Sequence, residues 1–341
     1  MDFAFTSEQD MLRDTVAKLI AQQYDFDTRR KVAKSADGWR PQMWSQFAEL
    51  GLLGASFSEA DGGFGGGPVE AMIISEEFGK GLVIEPYLQT VIIGGGFLRH
   101  GGSAAQKEEH IAGLIGGENR YAFAYSEPKS RFDLNDVSTT AKKSGAGYTL
   151  NGHKAVVIGA PFATHLIVTA RTSGGQRDTQ GITVFLVPKN AKGVVTRDYP
   201  TVDGLRASEV MFENVSVDAS AIIGTADAGL PLVEKVVDEA IASLCAEACG
   251  CFKVLNEATI SYAKQRKQFG QPIANFQVLQ HRMVDMFMAA EQSISMTYMV
   301  TLKLDESDKQ RKLAASGAKV QVGKAGKLIS QEAVQIHGGM G

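Results

Sequence analysis

Residues 265 to 277 read QRKQFGQPIANFQ, with two cations, an aromatic ring and a glycine side by side where one amphipathic run stops and another begins. One reading is a helix C-terminus: Arg266 and Lys267 suit the negative end of the dipole, Gly270 suits a cap, and Pro272 blocks continuation. The other reading is a grip on an anion at a helix corner. A buried diphosphate needs a fixed cation, and guanidinium meets phosphate with a planar fork. Gln277 adds an amide that both donates and accepts.

Other reactive groups are sparser. Cys245, Cys249 and Cys251 fall in one helical run with no histidine at a zinc-ligand spacing, so they read as small apolar residues of a reducing compartment and no metal is expected. The glycine-rich stretch at 62–67 follows no strand and precedes no Lys-Ser/Thr pair, which makes it a helix-entry loop and not a phosphate cradle. A net charge of -3 excludes a global basic field and with it nucleic acid as principal partner. The 44% hydrophobic and 21% charged fractions are those of an ordinary soluble protein. The start MDFAFTSEQDMLRD is unlike a secretory signal, and LVIEPYLQTVIIGGGFL is broken by Glu85 and glycines, so no membrane span and a cytoplasmic location are expected.

Three regimes must position these groups. From 1 to about 120 the periodicity is helical, with an N-cap expected at Thr6 and a helix-entry proline at Pro68. From about 121 to 222, YAFAY, GYTLNG, KAVVIG, THLIVTA, ITVFLVP, GVVTRD and EVMFENVSV are each strand-length and punctuated by turn residues, predicting a small barrel or sandwich. From about 226 onward, helical segments near 228–267, 275–304 and 308–338 suit an antiparallel bundle.

This order, with QRKQFGQPIANFQ at 265–277, VQIHGGMG at 334–341, SEP at 126–128, GYTLNGHK at 147–154 and FENVSV at 212–217, resembles the acyl-CoA dehydrogenase family over essentially the whole chain. VVIGAP and LCAEACG further resemble the small-subunit branch typified by pimeloyl-CoA dehydrogenase. The resemblance implies an α+β multidomain fold: an N-terminal all-α domain (1–120), a middle β-barrel or sandwich domain (121–225) and a C-terminal four-helix bundle (226–341) truncated at its end. It also implies a homo- or hetero-oligomer, dimer or tetramer, that holds FAD, takes an acyl-CoA and passes electrons to an electron-transfer flavoprotein.

Site residues follow from the same resemblance. Arg266 would neutralise the FAD pyrophosphate across a subunit interface, with Phe269 beside the adenine half and Gly270 allowing the turn. Gln277 would meet a cofactor edge, and Gln335 with Gly338 and Gly339 would complete the nucleotide site. Tyr125-Ser126 matches the segment that hydrogen-bonds the isoalloxazine ring, although a strand-end hydroxyl bonding its own backbone is the other reading of Ser126. His337 matches a variable position and reads as structural.

Departures from the pattern touch the substrate side. The family's Gly-Ala-Gly-Ser-Asp run is KSRFD at 129–133, so Phe132 replaces a serine that holds acyl-CoA or flavin, and Ser130 or Arg131 would substitute. The family's Trp-Ile-Thr is Val156-Val157-Ile158. The usual catalytic glutamate lies past the motif ending at Gly341; a minority carries it on the first bundle helix, at the position of Ala240, which makes Glu239 and Glu247 the candidates in this chain. The 341-residue chain is therefore expected to bind FAD but to dehydrogenate acyl-CoA little without a further segment or a partner subunit. Two alternatives share the fold: an FAD-bearing, non-catalytic partner subunit, and a flavin oxidase or monooxygenase.

Overall fold

The computed structural model describes residues 4–341. Helix α1 (Ser7–Gln23) starts where the sequence places it: the Thr6 hydroxyl accepts from Gln9 N, and the Gln9 side chain reaches back to Thr6 N. Helices α2 (Phe26–Lys34), α3 (Pro41–Glu49) and α4 (Pro68–Gly81) follow. A π-helical turn, Leu88–Gly94, then runs into α5 (Gly95–Gly101), and α6 (Ala104–Ile115) begins with a second reciprocal cap between Ser103 and Gln106.

Eight strands come next: β1 (Tyr121–Ala124), β2 (Thr140–Ser144), β3 (Gly147–Ile158), β4 (His165–Arg171), β5 (Ile182–Pro188), β6 (Val194–Pro200), β7 (Arg206–Asp218) and β8 (Ile222–Ile223). They form one sheet in the order β6-β7-β3-β2-β4-β5-β8, with β1 parallel to β4. GYTLNG and KAVVIG, two strands in the sequence reading, are one continuous β3. Asn151-Gly152, which reads as a turn, instead sits at a register shift against β7, where a side chain on Gly152 would strike Thr139. Strand β2 was not anticipated, because TAKKS carries no alternating apolar pattern.

The C-terminal helices are α7 (Leu230–Gln265), α8 (Gln277–Leu302) and α9 (Asp308–His337), close to their expected bounds. Between α7 and α8 the chain forms a hairpin of β9 (Lys267–Gln268) and β10 (Gln271–Pro272).

The described chain divides into two compact units. One comprises residues up to Phe26, Pro68–Val83 and Ile241–Gly341; the other comprises Asp27–Gly67 and Ile84–Ala240. The first is helical, with an alanine-rich core that includes Ala242, Ala289, Ala290, Ala314, Ala318 and Ala325 around Phe252 and Ile329. Small residues bring its backbones close. A Cβ on Gly79 of α4 would lie 1.9 Å from the Glu247 carbonyl oxygen of α7, and one on Gly250 would lie 2.0 Å from the Glu76 carbonyl oxygen. The Ser75 and Ser243 hydroxyls bond at 2.7 Å along the same crossing, and Lys253 pairs with Glu76 at 2.5 Å. Cys245 and Cys249 are buried here, and burial pushes their thiols up to about 12 and about 11, so both stay neutral.

In the second unit the sheet core is Leu150, Leu166, Val168, Phe185, Val187, Val210 and Phe212. Trp44 ties α3 to the turn after α6, its indole donating to Gly117 O at 2.9 Å, and Gln106 ties α6 to the end of the sheet, its amide donating to Ser220 O and Ile222 O.

Candidate cofactor site

Two constellations stand out, one in each unit. The first is built on the end of β1 and the middle of β3. Beyond Ala124 the chain leaves the sheet, and Tyr125 is half-exposed with its ring stacked on Phe123 at 4.9 Å. The next two carbonyls turn inward: Tyr125 O accepts from Lys154 Nζ at 3.2 Å and Ser126 O accepts from Ala155 N at 2.8 Å. Both donors come from consecutive residues of β3, at the register shift between Lys154 and Val157.

This bulge forces an unusual backbone. Val156 has φ 53°, the left-handed region that a β-branched residue avoids at a cost of about 1–2 kcal/mol. Glu209 of β7 holds it: the carboxylate accepts from the Val156 amide and from the Tyr199 hydroxyl at 3.0 Å, and pairs with His153 Nε2 at 2.6 Å. Burial alone would raise the Glu209 pKa, but these bonds outweigh it and keep the carboxyl below its usual range. The bulge puts Lys154 fully inside, at 0% exposure, and leaves Val156 and Ile158 partly exposed beside Tyr125-Ser126. An apolar patch beside a backbone segment fixed by its inward carbonyls suits a planar ring with polar edges, so these residues fit an isoalloxazine.

Behind the patch lies a buried ion pair that sequence reasoning missed. Lys154 Nζ donates to Glu127 Oε1 at 2.8 Å and to Thr169 Oγ1 at 3.1 Å. Glu127 also accepts from Thr139 N, Ser138 N and the Ser138 hydroxyl. Burial raises the Glu127 carboxyl, but Lys154 and these donors bring it down to about 2 overall. The available signal was a cation and an anion inside two of the quoted motifs, Lys in GYTLNGHK and Glu in SEP.

The substrate-side residues lie on the turn after Glu127. Ser130 is buried, its hydroxyl accepting from Glu127 N at 2.9 Å and donating to Glu127 O at 3.2 Å. Arg131 is exposed with φ 50°, so the backbone keeps a glycine-like conformation where the family pattern has glycine. Phe132 is 93% exposed. Of the proposed base positions, Glu239 receives Arg99 Nη2 at 2.9 Å and meets His100 Nε2 at 2.5 Å. Burial raises its carboxyl, but the His100 contact and the Arg99 guanidinium outweigh this and leave it lowered. Glu247 sits at the α4–α7 crossing, its carbonyl oxygen facing Gly79.

The second constellation belongs to the helical unit. QRKQFG is not a simple helix cap. Helix α7 stops at Gln265, and Phe269 (φ 53°) and Gly270 (φ 81°) form the two-residue turn of the β9–β10 hairpin, closed at its base by Ile273 N donating to Arg266 O at 2.8 Å. A turn with φ > 0 at both central residues normally takes Asn-Gly, so a phenylalanine there is strained. Its ring is 92% exposed. Arg266 and Lys267 are exposed on the same hairpin, and Gln277 is the first residue of α8.

Gln335 and Gly338 line a groove of about 670 Å³ together with Arg282, Gln331 and Glu332. Arg282 and Glu332 form an ion pair across α8 and α9, which sequence reasoning did not single out. Gly338 has φ 64°, and no atom lies within 4 Å of a Cβ built there or on Gly339, leaving an open backbone at this end of α9. His337 stacks on Tyr262 at 4.4 Å and bonds Ala333 O, a structural role.

Comparisons with known proteins agree with this chemistry. Family profiles match residues 6–118 (acyl-CoA dehydrogenase, N-terminal domain), 122–215 (middle domain) and 227–341 (C-terminal domain). The chain is 32% identical to the probable acyl-CoA dehydrogenase YngJ of Bacillus subtilis, over 100% of this chain and 90% of that one. Among solved structures it resembles the FAD complex of PigA (TM-score 0.92, 25% identity, 99% of this chain and 89% of that one). It also resembles a chain of the "Electron transferring flavoprotein of Acidaminococcus fermentans" structure (TM-score 0.91, 27% identity, 99% and 90%). With its N-terminal helices, middle sheet and C-terminal helices, this FAD-dependent oxidoreductase belongs to the acyl-CoA dehydrogenase family.

Proposed function

We propose that the chain oxidises an acyl-CoA thioester to its α,β-unsaturated form and delivers the electrons to an electron-transfer flavoprotein. The observation that carries this is the Tyr125-Ser126 segment, its two carbonyls pinned to the bulged β3 beside the exposed Val156 and Ile158. FAD, when bound there, would supply the acceptor for the hydride leaving the β carbon, and the α proton would pass to a carboxylate base contributed by a further segment or a partner subunit. Tyr125 and Ser126 orient the ring edge, and Val156 and Ile158 exclude water from one side of it. Arg266, Phe269, Gln277, Gln335 and Gly339 would hold the diphosphate and adenine half of a second subunit's cofactor, a role that the exposed ring of the strained Phe269 turn supports. Arg131 is the better placed of the two substrate candidates, because the Ser130 hydroxyl is already occupied in its turn.

Glu239 is a positioning group in this reading. A general base needs a lone pair free to approach the substrate and a pKa near the working pH, whereas Glu239 is held by the Arg99 guanidinium and the His100 ring and its pKa is lowered. Anaerobic mixing of the FAD-loaded protein with a panel of saturated acyl-CoAs tests the proposal. With the segment or subunit that carries the base present, bleaching of the flavin by one chain class, retained in Glu239→Gln, followed by fast reoxidation with electron-transfer flavoprotein and slow reoxidation with oxygen, is expected, whereas the chain alone should bleach little. No bleaching by any thioester with that base present sinks the dehydrogenase reading in favour of an FAD-bearing partner subunit, and fast reoxidation by oxygen points to an oxidase.

A further inference from the structure

The Lys154–Glu127 pair sits behind the candidate flavin segment and touches none of the outward-facing surface. All three ammonium hydrogens of Lys154 have an acceptor: Glu127 Oε1, Thr169 Oγ1 and Tyr125 O. The carboxylate in turn accepts from the Thr139 and Ser138 amides and the Ser138 hydroxyl. A fully satisfied buried pair of this kind adds little stability over well-packed apolar residues of similar volume, because desolvation offsets the attraction. Stability alone therefore gives no reason for a charged lysine here. The geometry gives one.

Of the three acceptors, only Tyr125 O belongs to the segment that leaves the sheet. In a trans peptide the C=O and the following N–H point in opposite directions. Drawing Tyr125 O inward therefore turns the Ser126 N–H outward. The next peptide is fixed by the neighbouring residue of the same strand, through Ala155 N to Ser126 O at 2.8 Å. Two successive peptide planes are thus set by Lys154 and Ala155, and Glu127 fixes where the ammonium sits.

We infer that Lys154 is a positioning residue: with Glu127 as its buried counter-ion, it holds the Tyr125–Ser126 peptide so that the Ser126 N–H stands ready as a donor to an acceptor atom of the flavin ring. This rests on the assignment of Tyr125-Ser126 to the flavin. A donor fixed before binding costs no ordering when the ligand arrives and sets a constant field at the ring edge. Removing the lock is therefore expected to change cofactor affinity and the flavin's electronic environment more than the fold.

Lys154→Met alone strands a buried carboxylate and destabilises the protein, so the informative variant is the double change Lys154→Met with Glu127→Gln, which removes both charges at nearly constant volume. Apoprotein of the full chain is titrated with FAD, following flavin fluorescence, the visible absorption bands and the reduction potential, beside thermal melting of the apoprotein. The double variant is expected to melt close to wild type, to bind FAD about tenfold or more weakly, the equivalent of one lost hydrogen bond to a charged or polarised ligand group, and to shift the bands and potential. Wild-type affinity, bands and potential in the double variant overturn the inference, as does an apo double variant that no longer melts cooperatively, since the pair is then structural. Ser126→Ala and Tyr125→Ala separate the two levels. If either moves the spectrum while the double variant does not, Lys154 alone fails; if none of the three does, the flavin assignment of the segment fails with it.

Discussion

Gly250→Ala should destabilise the helical unit even though alanine is the better helix former. The added Cβ lands 2.0 Å from the Glu76 carbonyl oxygen and 3.0 Å from Lys80 N, all backbone atoms that cannot swing aside. To restore ordinary contact, α4 and α7 must part by about 1.4 Å, a gap that already forfeits a large share of the dispersion between them. Overpacking of this kind costs about 1–3 kcal/mol. Separation also stretches the buried Ser75–Ser243 bond, worth about 1 kcal/mol. The propensity gain from glycine to alanine is about 1 kcal/mol in the other direction. The net is about 2 kcal/mol of destabilisation, or a fall in melting temperature of roughly 5 °C at the scale of 2–4 °C per kcal/mol. Gly323→Ala is the control: nothing lies within 4 Å of its Cβ, so only the propensity term acts and the melting temperature should rise slightly. Thermal melts of the three apoproteins by intrinsic fluorescence decide. A Gly250→Ala protein as stable as wild type would refute the close-crossing argument.

Three further outcomes follow from the site. Arg266→Ala should weaken FAD retention by about tenfold or more, the scale of a lost charge-assisted bond, whereas Lys267→Ala should change it little; equal retention, measured by flavin released on gel filtration, returns the hairpin cations to a dipole role. Val156→Gly should relieve the left-handed strain and stabilise the apoprotein by up to about 1 kcal/mol, while weakening FAD binding through loss of an apolar contact; a destabilised apoprotein contradicts the strain reading. The His110 and His165 rings lie 5.0 Å apart, and burial, aided by His110, pushes His165 down to about 4. The unfolded imidazole titrates near 6.5, so the unfolded state binds more protons between pH 6.5 and about 4. Stability is full above that window and declines as pH falls through it, and His165→Gln should flatten the melting-temperature profile there.

Much of the architecture was legible because helical and strand periodicities change near 121 and 226, and because caps such as Thr6 use side chains that declare themselves. Local signals failed where tertiary partners decide. Asn151-Gly152 reads as a turn, but pairing with β7 carries the strand through it as a bulge. QRKQFG reads as a helix end, and the pairing of β9 with β10, closed by the bond from Ile273 to Arg266, makes it a hairpin. The motif residues of the cofactor site were nameable from spacing. Lys154, Glu127, Glu209 and Arg282 were not, because their importance lies in partners 27, 27, 56 and 50 positions away. The left-handed backbone at Val156 has no sequence signature at all; valine is a poor guess for φ 53°.

The central claim is the proposal that the Tyr125-Ser126 segment on the β3 bulge holds the FAD ring, with the exposed hairpin serving the diphosphate of a second subunit's cofactor. The most direct measurement is equilibrium titration of the folded apoprotein with FAD, read by flavin absorbance after removal of free cofactor. The account predicts saturable uptake approaching one FAD per chain, with visible bands displaced from those of free FAD. A protein that melts cooperatively yet takes up no FAD, or takes it up equally well after Arg266→Ala and after the Lys154→Met, Glu127→Gln double change, would contradict it.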